Sequence, residues 1–136
     1  MKNFKIRIKA VVKKGDKYLV VKKWYDDRIQ SPYQWEFLDG DLNFGESPET
    51  AAARIVREKT QLEVAKGTLL YTWSYVVGET CYVGICICFE KFSGEVLISE
   101  DLLDHAFIEK SEMNDEAHPM NAKVIEDIFG QGEGTP

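Results

Sequence analysis

The stretch GESPETAAARIVREKTQLEV, Gly45 to Val64, constrains this chain more than any other, because it specifies a helix with a fixed beginning. Ser47 is a good N-cap, Pro48 suits the first helical position, Glu49 complements the helix dipole, and Ala51-Ala52-Ala53 has high helix propensity. The helix is expected to run to about Gln61, and Gly67 is the first clear stop beyond it. Ahead of it lies DGDLNFGES, a turn-rich segment whose two glycines open backbone conformations closed to other residues.

Around this helix the hydrophobic period falls to two. Phe4, Ile6, Ile8, Ala10 and Val12 alternate with Lys5, Arg7, Lys9 and Lys13, the pattern of a strand with one buried face. Gly15-Asp16 marks a turn and Lys17 to Trp24 the returning strand, so the first 24 residues predict a hairpin. Tyr25 to Tyr33 is polar and aperiodic, a loop of the kind that contributes to binding sites, and QWEFL follows as a short strand. TLLYTWSYVV and CYVGICICFEKF, rich in β-branched and aromatic residues and split by Gly78-Glu79-Thr80, predict a long hairpin. VLIS, after Ser93-Gly94, is expected as a further short strand and DHAFIEK as the last. Met120, Val124, Ile125 and Ile128 have helical spacing that Gly130 should end, leaving QGEGTP as a disordered tail. This order is α+β, a mixed sheet between helices, with one domain over residues 1–129 and a tail over 130–136.

With 136 residues, 44% of them hydrophobic, one domain burying roughly two-thirds of its unfolded surface is the natural reading. The net charge of −6 argues against a nucleic-acid polymer or an anionic membrane as partner and favours a small soluble ligand, with a cation to offset shared negative charge. Cys81, Cys86 and Cys88 are odd in number and confined to one apolar stretch, which fits buried thiols in a reducing compartment. His105 and His118 share no ligand spacing. The N-terminus lacks the apolar run of a secretory signal, and no stretch reaches the roughly 20 apolar residues that cross a bilayer, so a cytoplasmic location is expected.

From Gly40 onward, G-DLNFG-E-SPETAAA-R-IVREKTQL resembles the Nudix box, written G-x5-E-x7-R-E-U-x-E-E-x-G-U with U a bulky aliphatic. The match covers Gly40, Glu46, Arg54, Val56, Glu58 and Leu62. WEFLDGDL is similar to the WEFPGG run of MutT-type members, with Leu38 and Asp39 in place of Pro and Gly. The flanking strands and the C-terminal helix follow the order of a Nudix domain, so the resemblance spans nearly the whole chain. It implies an α/β/α sandwich and attack of water on a nucleoside diphosphate linked to another moiety, assisted by Mg²⁺ or Mn²⁺. Carried over residue by residue, Glu58, Arg54 and Glu46 are the catalytic candidates, and Glu58, the Gly40 region and Asp39 the metal candidates.

Three positions depart from the box: Ile55 and Lys59 replace glutamates, and Gln61 replaces a glycine near the helix end. Positions 55, 58 and 59 share one helix face, so glutamates there would converge on one ion; only Glu58 remains. Ile55 has no lone pair and is expected to join the core beside Ala52 and Val56. An ammonium at about 5 Å from a divalent ion, in an effective dielectric of about 20, repels it by roughly 6 to 7 kcal/mol at most, and a flexible lysine stem relieves most of that. Asp39 and Asp41 flank Gly40, where they could rebuild the site, satisfy turn amides or pair with Lys59. Glu100 and Asp101 stand where some relatives place a further metal-assisting acid, although solvated loop acids are the plainer reading. Trp35, Trp73 and Tyr75 could stack on a base or simply fill the core.

Two functions follow. One is hydrolysis with a depleted metal site; the other is a nucleotide- or phosphate-binding module in which Lys59 meets a ligand phosphate directly. Both leave a homodimer open.

Overall fold

The computed structural model describes residues 1–24 and 34–132. Strands β1 (Asn3–Lys14), β2 (Lys17–Lys23), β3 (Trp35–Glu36) and β4 (Leu38–Asp41) precede helix α1 (Pro48–Thr60). After it come β5 (Glu63–Val64), β6 (Thr68–Val77), β7 (Thr80–Phe89), β8 (Phe92–Ser93), β9 (Leu102–Glu109) and helix α2 (Ala122–Gly132).

β1 organises the sheet. It runs parallel to β7, in register from Asn3↔Thr80 to Val12↔Phe89, and takes β4 antiparallel at Arg7 to Ala10. β6 lies antiparallel outside β7, while β9 and β3 flank β2. The sheet is therefore mixed and the class is α+β, as the element order predicts.

Because side chains alternate across a strand, β1 feeds two cores. Ile8, Ala10 and Val12 pack with Leu19, Val21 and Leu38 against Ala51, Ala52, Ile55 and Val56 of α1. Val11 points the other way and joins Val20, Tyr71, Cys86, Cys88 and Ile128 of α2. The helices thus cover opposite faces. Each buried Val, Leu or Ile contributes roughly 1.5–3 kcal/mol, against about 0–1 for an exposed ion pair, so these two cores hold the fold. Cys86 and Cys88 belong to the packing, and burial pushes the Cys86 thiol up to about 12.

Several expectations are corrected. The N-terminal hairpin closes only at Lys13↔Tyr18 and Lys14↔Lys17; beyond that point β1 pairs with β4 and β2 with β9. Asp39 to Asp41, expected in a turn, form β4 because their backbone completes the edge of β1. Val96 to Ser99 form no strand: the amides of Leu97 and Ser99 donate instead to the carbonyls of Thr60 and Lys59, at 2.9 Å each, satisfying the end of α1. Helix α2 continues through Gly130 to Gly132, since a glycine weakens a helix by only about 1 kcal/mol and need not stop it. The Tyr25 to Tyr33 loop and the last four residues of the expected tail lie outside the described residues. Among the described residues no helix is long and apolar enough to cross a membrane.

Helix α1 begins as its sequence specifies, with the Ser47 hydroxyl accepting from the Thr50 amide. It ends on Gln61, held left-handed at φ 61 while its amide donates to the Arg57 carbonyl. A side chain in that conformation is strained by about 1 kcal/mol or more. Gln61→Gly should therefore raise unfolding stability by about 0.5 to 1 kcal/mol, read as an increased midpoint in urea with an unchanged slope.

Candidate functional site

The loop between β4 and α1 is held by one guanidinium. Arg54 donates through Nε and Nη2 to both oxygens of Glu46 (2.8 and 3.0 Å), through Nη2 to the Asp41 carbonyl (2.7 Å), and through Nη1 to Glu58 (2.7 Å). Glu46 also accepts from the Asn43 amide at 3.1 Å, closing the loop on itself. The hydrogen bonds from Arg54 hold the Glu46 carboxyl below the usual range, and those to Glu46 and then Glu58 raise Arg54 further. Three of the predicted residues, Glu46, Arg54 and Glu58, are thus brought together.

The two replaced positions are occupied differently. Ile55 is 2% exposed and packs in the α1 core. Its side chain rests on Gly40, where a Cβ would stand 2.9 Å from Ile55 Cδ1, so the glycine provides the room the isoleucine needs. Lys59 forms an ion pair with Asp101, whose other oxygen accepts from the Ser99 hydroxyl. Burial alone would raise the Asp101 carboxyl; Lys59 and Ser99 outweigh it and hold it low.

Among the described residues Asp39 and Asp41 neither pair with Lys59 nor accept from turn amides. Asp41 accepts from Arg7 at 2.5 Å, and Asp39 accepts from Arg7 at 3.3 Å and Lys23 at 3.1 Å. Lys23 also meets Glu36 at 3.1 Å. Glu100 offers its backbone carbonyl to the Trp24 indole at 3.1 Å. Among the described residues no three His, Cys, Asp or Glu side chains are grouped to hold a metal ion. With Ile55 in the core, Lys59 paired and Asp39 and Glu58 serving different cations, the residues present do not fit a site for several divalent ions.

A second feature lies on the α2 side of β4. Arg7, Lys9, Glu36, Asp39, Trp73 and Tyr75 line a cavity of about 290 Å³. The Lys9 ammonium sits 4.9 Å over the Trp73 ring and 3.3 Å from the Tyr71 hydroxyl; it meets no carboxylate among the described residues. Burial lowers its pKa. Trp73 lies flat on Gly84, where a Cβ would come within 1.9 Å of the indole, and Tyr75 stacks on Tyr82 at 4.9 Å. Trp35 is core, whereas Trp73 and Tyr75 border the cleft. Sequence reading missed Arg7, Lys9, Lys23 and Glu36. The usable signal is that Arg7 and Lys9 continue onto the face where Val11 is buried, so that face is covered only in part.

A three-layer α+β fold whose loop-helix is closed by an arginine between two glutamates defines a Nudix-type domain. The chain belongs to the Nudix family: the NUDIX domain model matches residues 4–127. Among solved structures, it is similar to the E. coli ORF135 protein (TM-score 0.80, 16% identity, 98% of this chain and 93% of that one). It is similar as well to a MutT protein from Methanosarcina mazei Go1 (TM-score 0.79, 16% identity, 97% and 95%) and to an ADP compounds hydrolase (0.75, 16%, 96% and 75%). No curated protein matches the sequence.

Arg54→Met should lower stability by about 2 kcal/mol in urea unfolding, and Arg54→Lys should recover little, because one ammonium cannot replace a bidentate fork. The Glu46 carboxyl is depressed in the folded chain, so its stabilisation is present above the ordinary carboxylate pKa and lost as pH falls through the depressed value. Glu46→Gln should therefore be less stable than the parent near neutrality, with the gap closing in acid.

Proposed function

We propose that this Nudix-family chain recognises a nucleoside diphosphate compound, and that its box serves phosphate binding rather than multi-ion hydrolysis. The observation that carries this reading is the pair of replaced positions: Ile55 is built into the core and Lys59 is a cation whose partner among the described residues, Asp101, is exposed. On the other side of β4, the Lys9 ammonium, poorly solvated beside Trp73, is suited to a charge-assisted hydrogen bond with a phosphate oxygen. The Trp73 and Tyr75 walls offer aromatic faces for a base. Arg54 keeps the loop closed, and Lys59 exchanges Asp101 for ligand phosphate. The similarity in fold to an ADP compounds hydrolase supports a diphosphate as ligand class.

A second reading, hydrolysis assisted by one Mg²⁺ or Mn²⁺ ion, is favoured by one observation. Glu58 keeps 53% of its side chain exposed and gives one oxygen to Arg54. Mg²⁺ often retains several waters and uses one or two carboxylates with substrate phosphates.

Calorimetric titration with ADP separates the two. Binding should persist in EDTA, weaken with added salt, and fall about tenfold in Lys9→Met, equivalent to about 1.4 kcal/mol. Binding that needs a divalent ion, or turnover of an ADP compound that Glu58→Gln abolishes, would establish the second reading instead.

A further inference from the structure

The sheet ends, in the order β3-β2-β1-β7-β6, on a strand with an unpaired outer edge among the described residues. That strand, TLLYTWSYVV, is ten residues long and contains no Lys, Arg, Asp, Glu, Pro or Gly. Edge strands are ordinarily blunted by charges, prolines, shortness or bulges. β6 carries only a register shift between Leu69 and Tyr71, which leaves Tyr71 to Val77 regular. Its tip is also apolar, with Val76 67% and Val77 60% exposed and Phe4 of β1 bare nearby.

The flanks of this neutral strand are charged with opposite sign. Lys66 precedes it, exposed and with no carboxylate partner among the described residues, and Glu79 follows it in the turn, where it meets the terminal ammonium of Met1. Two copies of β6 laid antiparallel about a two-fold axis bring the start of each strand beside the hairpin tip of the other. Lys66 of one copy then faces Glu79 of the next, twice over. A parallel arrangement would set like charges together.

From this complementarity we propose that β6 is the interface of a homodimer, formed by antiparallel pairing of the two edge strands into one continuous sheet. The closed two-fold arrangement uses up both free edges and stops growth at two copies. Exposed Val76 and Val77 are shielded by the partner, and a chain of net charge −6 associates through a strip that carries no charge. The two clefts bordered by Trp73 and Tyr75 open on the same face of the joined sheet. None of this depends on which ligand the cleft binds.

Sedimentation velocity tests the proposal, over concentrations of about 1 to 100 µM, the range in which a standard-size interface is read. The parent chain should sediment as a dimer at the upper end. Lys66→Glu and Glu79→Lys should each weaken association at least about tenfold, and the double swap should restore it. Val76→Lys changes an exposed position, so the fold survives, and the chain should become monomeric. Hydrogen exchange in Thr68 to Val77 should slow as concentration rises in the parent and not in Val76→Lys. A parent that is monomeric throughout, or a dimer indifferent to Val76→Lys and to both charge reversals, would overturn the proposal.

Discussion

The Arg54 guanidinium ties three pieces of chain to one point: the end of β4 through the Asp41 carbonyl, the loop through Glu46, and α1 through its own backbone and Glu58. Arginine suits the task because its donors are fixed in a plane and its charge is permanent. A lysine could neutralise Glu46, but three donors on a single nitrogen could not meet four acceptor atoms spread around a plane. With the loop closed, Gly40 is set against α1, and with Gly40 placed, the register of β4 along β1 is set too. The chemistry on either side of β4 follows from that register.

Relative to the box pattern, two charges have been exchanged for packing and an ion pair. Burying Ile55 is worth roughly 1.5–3 kcal/mol of hydrophobic stabilisation, and its contact with Gly40 adds close packing between helix and strand. The Lys59 ammonium would repel a divalent ion, and Asp101 draws it aside, so the helix face that could gather a cation is instead internally compensated. Compensation of that kind is weak because the pair is exposed on the Asp101 side, which is the condition that the proposed exchange of Asp101 for a ligand phosphate requires.

What the sequence made legible was local. The cap at Ser47, the proline after it, and the Glu46 to Arg54 spacing are all decided within about two helical turns, and the structure places each as those residues require. The core role of Ile55 was legible from its chemistry alone. The partners of Lys59, Asp39 and Asp41 were not, because Asp101 lies 42 residues from Lys59 and Arg7 lies 34 from Asp41. Contacts at that separation depend on strand register, which no local pattern states. The Val96 to Ser99 segment misled for a related reason: its β-branched residues suit an extended backbone, yet its amides are taken by the carbonyls ending α1 rather than by a strand. The cleft was missed because Arg7 and Lys9 look like solvent-facing cations in an alternating strand, whereas that face is partly covered by the α2 layer.

The register of β4 links the two faces of the sheet. Arg7 lies opposite Asp41 and Lys9 opposite Asp39, while Ile8 faces Gly40 and Ala10 faces Leu38. A slip of one residue would turn Leu38 into the charged cleft and Asp39 into the α1 core, exchanging every side chain across the sheet. The apolar contacts of Leu38 and Ile55 forbid that slip, since a carboxylate buried without a partner is costly by several kcal/mol. The isoleucine that stands where the box pattern has a glutamate therefore also fixes the strand that presents Asp39 to Arg7 and Lys23, leaving Lys9 as the cation in the cleft without a carboxylate among the described residues. The buried Ile55 on one face and the placement of Lys9 and its neighbours on the other therefore have a common structural cause.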